Sequence, residues 1–190
     1  KELQPNCLVS GRIWNDQGDF IVMGDNYQPE FKMGVPWQSP ASMFRETWSY
    51  RSWQERPSVE TKINEKIYDL VKVVSSGGNY LLNIGPKPNG SVVLFEKQVL
   101  EGMGKWLKKN GESIYGTKES FIAKQEWGFT TSKPGKLYLH IATYPENNKL
   151  TIQGLNIDIT KLYPLTDPAL LLNSKTSDNR CEIELSEEII

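Results

Sequence analysis

Apolar residues recur at helical spacing through residues 58–74, "SVETKINEKIYDLVKVV", where Ile63, Ile67, Leu70, Val71 and Val74 share one face. Pro57 and Ser58 suit the start of this helix, and Gly77-Gly78 suits its end. A short apolar run follows at residues 80–84, "YLLNI", closed by the turn pairs Gly85-Pro86 and Asn89-Gly90. A second helix is predicted over residues 94–109, with Phe95, Val99, Met103, Trp106 and Leu107 as its buried face. Lys108 and Lys109 complement its negative end, and Asn110-Gly111 can stop it. Helix, buried strand, loop and helix in succession predict a parallel α/β arrangement, whose ligand-bearing loops follow the carboxyl ends of strands. Asn79 and Asn83 are out of place in a buried strand unless their amides brace such a loop.

The pattern changes after Thr117. "FIAKQEWGFTTS", "KLYLHIATYP", "KLTIQGL" and "CEIELS" are short runs, several alternating, separated by Pro-Gly, Asn-Asn and Asp-Pro signals. They predict an all-β module, an antiparallel β-sandwich over 118–190, behind an α/β module over 1–117. In the second run Leu137, Leu139 and Ile141 share a face, so His140 points the other way, solvated or locally hydrogen-bonded.

Residues 6–56 fit neither texture. "CLVSGRIW" reads as a short strand ending in Ser10-Gly11-Arg12, and "GDFIVMGDNYQPE" as an extended piece ending in the turn Gly24-Asp25-Asn26. "VPWQSPASMFRETWSYRSW" crowds aromatics with Arg45, Glu46 and Arg51 and reads as neither clean helix nor clean strand. Rings beside carboxylates and arginines suit a sugar, whose C–H face stacks while its hydroxyls hydrogen-bond; the same tryptophans would also serve as core. Glu46, beside Arg45, is expected to be ion-paired.

Composition narrows the classes. Lys+Arg and Asp+Glu stand at 22 and 23 with no basic stripe, which argues against a nucleic-acid partner. No apolar run approaches the roughly 18 residues of a membrane span. One histidine and two distant cysteines give no metal-ligand spacing, and no cofactor motif is present. Gly77-Gly78 precedes its strand, whereas a phosphate loop follows one. Cys7 and Cys181 are expected to be two buried free thiols. The chain opens on lysine with no leader-like segment, as if processed or cut from something longer.

Together, "VVSSGGNYLLNIGPKPNGSV" and "GMGKWLKKNGESIYGT" resemble the α-L-fucosidases of glycoside hydrolase family 29. The match is close over residues 70–117 and looser over 8–51, while 118–190 resembles the family's C-terminal β-sandwich. The resemblance implies the last part of a (β/α)8 TIM-like barrel followed by a β-sandwich, and a retaining glycosidase removing terminal α-L-fucose from glycans. Retention uses two carboxyl groups about 5–5.5 Å apart, a nucleophile and a general acid/base. The family's nucleophile is an aspartate upstream of the motif matched here by "LVSGR", so its position falls outside this chain. The family's fucose-binding arginine, in "V-N-D-R", falls on Arg12, with Ser10-Gly11 replacing Asn-Asp. Its aromatic before Gly-Tyr falls on Trp48, with Ser49 replacing the glycine. The acid/base follows a "GD(F/Y)" pair, here Gly18-Asp19-Phe20, which puts Asp25 first and Glu30 second as candidates.

These readings imply a fucosylated glycan as substrate, and the absent N-terminal barrel half, or a second copy, as partner. The family is commonly secreted, periplasmic or lysosomal. Two rivals stand beside the enzyme: a non-catalytic carbohydrate-binding module working through the sandwich aromatics Trp127, Phe129, Tyr138 and Tyr144, and an inactive relative, suggested by Ser-Gly ahead of Arg12.

Overall fold

The structure, a computed structural model, describes residues 2–14, 16–29, 31–155 and 157–185. It divides into two compact units, Lys1–Lys105 and Trp106–Ile190. The first is built on a parallel sheet of β1 (Ile21–Val22), β2 (Trp37–Ser42) and β3 (Asn79–Asn83), in that order. Ile21 pairs with Trp37, and Gln38 with Asn79. A parallel bridge from Ser10 to Phe20 adds the preceding segment on the far side of β1. Four segments thus run the same way in chain order, and their carboxyl ends share one edge.

β2 lies in the stretch that reads as irregular from sequence. Its residues, Trp-Gln-Ser-Pro-Ala-Ser, have little strand preference, and a proline in a central strand argues against one. Pro40 is tolerated because of where its nitrogen points. Gln38 O accepts from Met23 N (2.9 Å) and Pro40 O from Asn26 N (2.9 Å), so the backbone of both residues faces β1. β1 has already ended at Val22, so the donor that proline lacks has no strand opposite it.

α1 (Val59–Ser75) begins where Ser58 accepts the Thr61 N–H at 3.0 Å. It ends where the Gly77 and Gly78 N–H groups return to the Val74 and Val73 carbonyls, each at 3.0 Å. Gly78 has a second reason to be glycine: a Cβ there would lie 2.4 Å from the Trp37 ring. α2 (Leu94–Asn110) supplies Val99 and Met103 to a cluster with Met43 and Phe44, against which Phe95, Ile63, Ile67 and Leu82 pack.

Two expectations change in this unit. α1 buries Lys62 and Lys66 more deeply than its isoleucines, because each ammonium is paired. Lys62 Nζ lies 2.6 Å from Glu65 Oε2 and 5.0 Å from the Phe44 ring centre. Lys66 Nζ lies 2.9 Å from Glu65 Oε1 and 3.3 Å from Asp69 Oδ2. The strand β3 is only half buried, with Leu81 52% exposed. Its alternation explains this: Leu82 joins the helix-side cluster, while Asn79, Leu81 and Asn83 look out from the opposite face of an edge strand.

In the second unit, β4 (Lys118–Glu119), β5 (Gly128–Lys133) and β6 (Lys136–Ile141) form one antiparallel sheet. β7 (Lys149–Gln153), β8 (Ser174–Ser177) and β9 (Arg180–Glu184) form another, in the order β7-β9-β8. Leu150, Ile152, Cys181 and Ile183 from the second sheet share one cluster with Leu137, Leu139 and Ile141 from the first. His140 faces the other way, its Nε2 3.0 Å from Thr131 Oγ1, and burial pushes its pKa down to about 4. Cys181 is buried as expected; Cys7 is exposed, because it sits in an N-terminal segment that packs against little.

Candidate active site

The carboxyl edge of the parallel sheet gathers the chain's candidate chemistry. Leaving the Ser10 bridge, the chain makes a 3-10 turn, Gly11–Ile13, in which Ser10 Oγ accepts the Arg12 N–H at 3.2 Å. Arg12 is thereby aimed along the edge, where its Nη2 bonds Asp25 Oδ1. Both side chains are about half exposed, so the pair is open to a ligand.

Asp25 follows β1 in the turn Gly24-Asp25-Asn26, and Asn26 fixes that turn. Its backbone is left-handed (φ 55°), which asparagine tolerates better than most residues. Its Oδ1 accepts from Ser42 N at 2.8 Å and Ser42 Oγ at 3.1 Å, replacing the strand that β2 lacks beyond Val22. Sequence reasoning saw Asn26 only as a turn residue; its long-range role has no local signal.

Trp48 stands on the next loop along the same edge, after β2, and is 37% exposed. Its carbonyl accepts from Asn83 Nδ2 at 2.8 Å, so an amide of β3 braces the loop that bears the ring. At the other end of the strand Asn79 Nδ2 donates to Trp37 O at 3.3 Å, at the start of β2. Just past β3, Gly85 donates to Glu96 Oε2 at 3.0 Å. A Cβ on Gly85 would lie 2.8 Å from Ser49 C and Tyr50 N, so glycine lets β3's exit press against the Trp48 loop. Glu96 is 3% exposed; burial raises its pKa, opposed by the Gly85 N–H and the Arg56 charge. This buried acid carries no local signal, since it lies on the helix outside the apolar face that the spacing picks out.

Arg12 and Asp25 are therefore brought into direct contact, with Trp48 on the adjoining loop. Glu30 lies outside the described residues. Glu46 is held by Gln54 rather than by Arg45: Gln54 Nε2 donates to Glu46 Oε1 at 2.5 Å and keeps the carboxyl below its ordinary range. Of the aromatics in that segment, Trp37 is core at 1% exposure while Trp53 is 77% exposed. Among the described residues no group of three or more His, Cys, Asp or Glu side chains could hold a metal ion, and no helix is long and apolar enough to cross a membrane.

A guanidinium and a carboxyl at the open end of parallel strands, with a ring nearby, can bind a polyol and exchange a proton with it. A family model described as alpha-L-fucosidase matches residues 1–112. The chain belongs to the α-L-fucosidase family, glycoside hydrolase family 29. The mouse tissue alpha-L-fucosidase is 34% identical over 161 residues, 75% of this chain and 35% of the mouse protein. Alpha-L-fucosidase isoenzyme 1 from Paenibacillus thiaminolyticus matches in structure with a TM-score of 0.85 and 28% identity, over 97% of this chain and 47% of its own. A GH29 α-L-fucosidase from Bacteroides thetaiotaomicron, solved as a trapped covalent intermediate with 2-fluoro-fucosyl fluoride, shares the fold with a TM-score of 0.87. It is 22% identical, over 98% of this chain and 47% of its own. The chain thus spans about a third to a half of the length of these relatives.

Proposed function

We propose that this chain supplies the C-terminal portion of a retaining α-L-fucosidase, which removes terminal α-L-fucose from glycans. The observation that carries the reading is the Arg12–Asp25 pair at the carboxyl edge of a parallel sheet, in a chain of this family. Arg12 hydrogen-bonds the fucose, and Trp48 packs against its methyl group. Substrate hydroxyls take over the Arg12 donors; the released Asp25 carboxylate takes up a proton from solvent, gives it to the departing glycosidic oxygen, and as the carboxylate again accepts a proton from the attacking water. The nucleophile lies in a segment ahead of this chain, so the chain alone cannot complete double displacement. A covalent intermediate in the Bacteroides relative supports that two-step chemistry.

In this reading residues 1–117 are the last part of a (β/α)8 barrel and 118–190 a β-sandwich. The outward face of β3, with Leu81 exposed, then belongs to the barrel interior, and its open edge pairs with the absent half or with a second copy. The carbohydrate-binding rival is disfavoured because its aromatics are inside: Trp127 is 8% exposed, Phe129 5% and Tyr138 9%.

The test is hydrolysis of an aryl α-L-fucoside, with intact mass recorded alongside. The 190-residue chain is expected to be inactive alone and active once the upstream half of the catalytic domain is supplied. Turnover by the isolated chain overturns the division of the site. In the complete enzyme, Asp25→Asn lowers turnover of poor-leaving-group substrates by about 10²–10⁴; an unchanged rate removes Asp25 from the role.

A further inference from the structure

Trp14 is not accounted for by packing or by the roles above. Its side chain is 78% exposed, and its backbone sits at φ 137°, which a bulky L-residue adopts only when its surroundings impose it. The imposition is visible on both sides. The Trp14 N–H donates to Gly11 O at 3.0 Å, and Gln17 N–H donates to Trp14 O at 2.9 Å. The base of this loop is closed by Gly11 N to Phe20 O (3.0 Å) and Asp19 N to Val9 O (2.8 Å). Val9 N also donates to Asp19 Oδ2 at 2.7 Å. At Gly18 a Cβ would come within 2.6 Å of Gly11 Cα, so the loop closes backbone to backbone. A tightly closed loop holds its tip in a strained conformation, and what that conformation displays is an indole ring in solvent.

Beside the ring is an open groove of ≈ 310 Å³, lined by Arg12, Ile13 and Trp14 on one side and Val22, Met23 and Gly24 on the other. Arg12 belongs to the Arg12–Asp25 pair, and Gly24 precedes Asp25 in the chain. An occupant of this groove therefore adjoins whatever the pair holds. The groove is open, largely apolar along Ile13, Val22 and Met23, and has the exposed Trp14 in its wall. That suits a pyranose, which presents a C–H face to a ring and keeps its hydroxyls in water.

We infer that Trp14 is a specificity-determining residue whose indole stacks on the sugar that carries the fucose. This rests on the fucosidase reading. The reaction needs no ring at that place when the leaving group is small, which separates the two ideas experimentally. In the complete enzyme, kcat/KM is measured for α-L-fucosyl fluoride, whose leaving group is one atom, and for a fucosylated disaccharide. Trp14→Gly is expected to lower the disaccharide value by about 3- to 10-fold and to leave the fluoride value unchanged. Trp14→Phe falls between. Glycine accepts the positive φ, so Trp14→Gly folds at least as well as the parent, and its melting temperature checks that. Equal losses on both substrates, or no loss on the disaccharide, overturn the Trp14 assignment while leaving the fucosidase reading intact. A parent enzyme that fails to hydrolyse the fluoride overturns both.

Discussion

Replacing Asn26 tests whether one side chain ties the Asp25 turn to the sheet. Ser42 is fully buried, and its backbone N–H has the Asn26 Oδ1 as acceptor at 2.8 Å. Asn26→Gly keeps the left-handed backbone but leaves that donor unsatisfied, a cost of about 1–3 kcal/mol. Asn26→Ala adds the penalty of a Cβ in the left-handed region, about 1–2 kcal/mol more. Asn26→Asp keeps the acceptor and loses only the long Nδ2 contact to Arg45 O at 3.4 Å, so it costs under about 1 kcal/mol. The expected order of damage is Asp, then Gly, then Ala. Amide hydrogen exchange in the 190-residue chain reads this residue by residue. With about 1.4 kcal/mol per factor of ten, the Ser42 amide should exchange roughly 5- to 150-fold faster in Asn26→Gly. The neighbouring Met43 amide, bonded to Asn83 O at 3.0 Å, is the internal control for general loosening. Unchanged Ser42 protection in Asn26→Gly would refute the tie. Equal acceleration at Ser42 and Met43 in all three variants would refute it too, since that marks a general loss of stability.

Two further outcomes follow from the same contacts. Gly85→Ala should destabilise the chain by about 1–3 kcal/mol in urea unfolding, because its methyl would meet the Ser49–Tyr50 backbone at 2.8 Å; a neutral result means that the Trp48 loop is not pressed against β3. His140 is the chain's one histidine, so its NMR titration is unambiguous. Its folded pKa of about 4 lies below the ordinary 6.5, so the unfolded chain binds the extra proton between those values. The corresponding stability is complete above pH 6.5 and is lost as pH falls toward 4, by at most about 3 kcal/mol. A ring that titrates near 6.5 in the folded protein refutes the burial argument.

The helices and β3 were legible because their signals are local: a 3.6-residue period, a serine cap and a glycine stop over α1, and an apolar run between turn pairs. β2 was not, since Trp-Gln-Ser-Pro-Ala-Ser owes its extended form to neighbours on both sides rather than to its own preferences. β8, Ser-Lys-Thr-Ser, is polar and exposed throughout, and only its pairing with β9 makes it a strand. In the site, Arg12 and Asp25 could each be singled out by motif, but their contact depends on parallel register between segments 13 residues apart. The burial of Lys62, Lys66 and Glu96 was illegible for a related reason: charge reads as exposure until a partner is placed beside it.

Pro40 bears on how much the turn beside it can vary. Every other backbone group on that side of β2 obliges a neighbour to answer it, but a proline nitrogen asks for nothing. Residues inserted between Gly24 and Asn26 consequently sacrifice no sheet hydrogen bond, provided Met23 N still reaches Gln38 O and residue 26 still answers Pro40 O and Ser42 N. The turn that carries Asp25 can thereby change length while the sheet beneath it keeps its register.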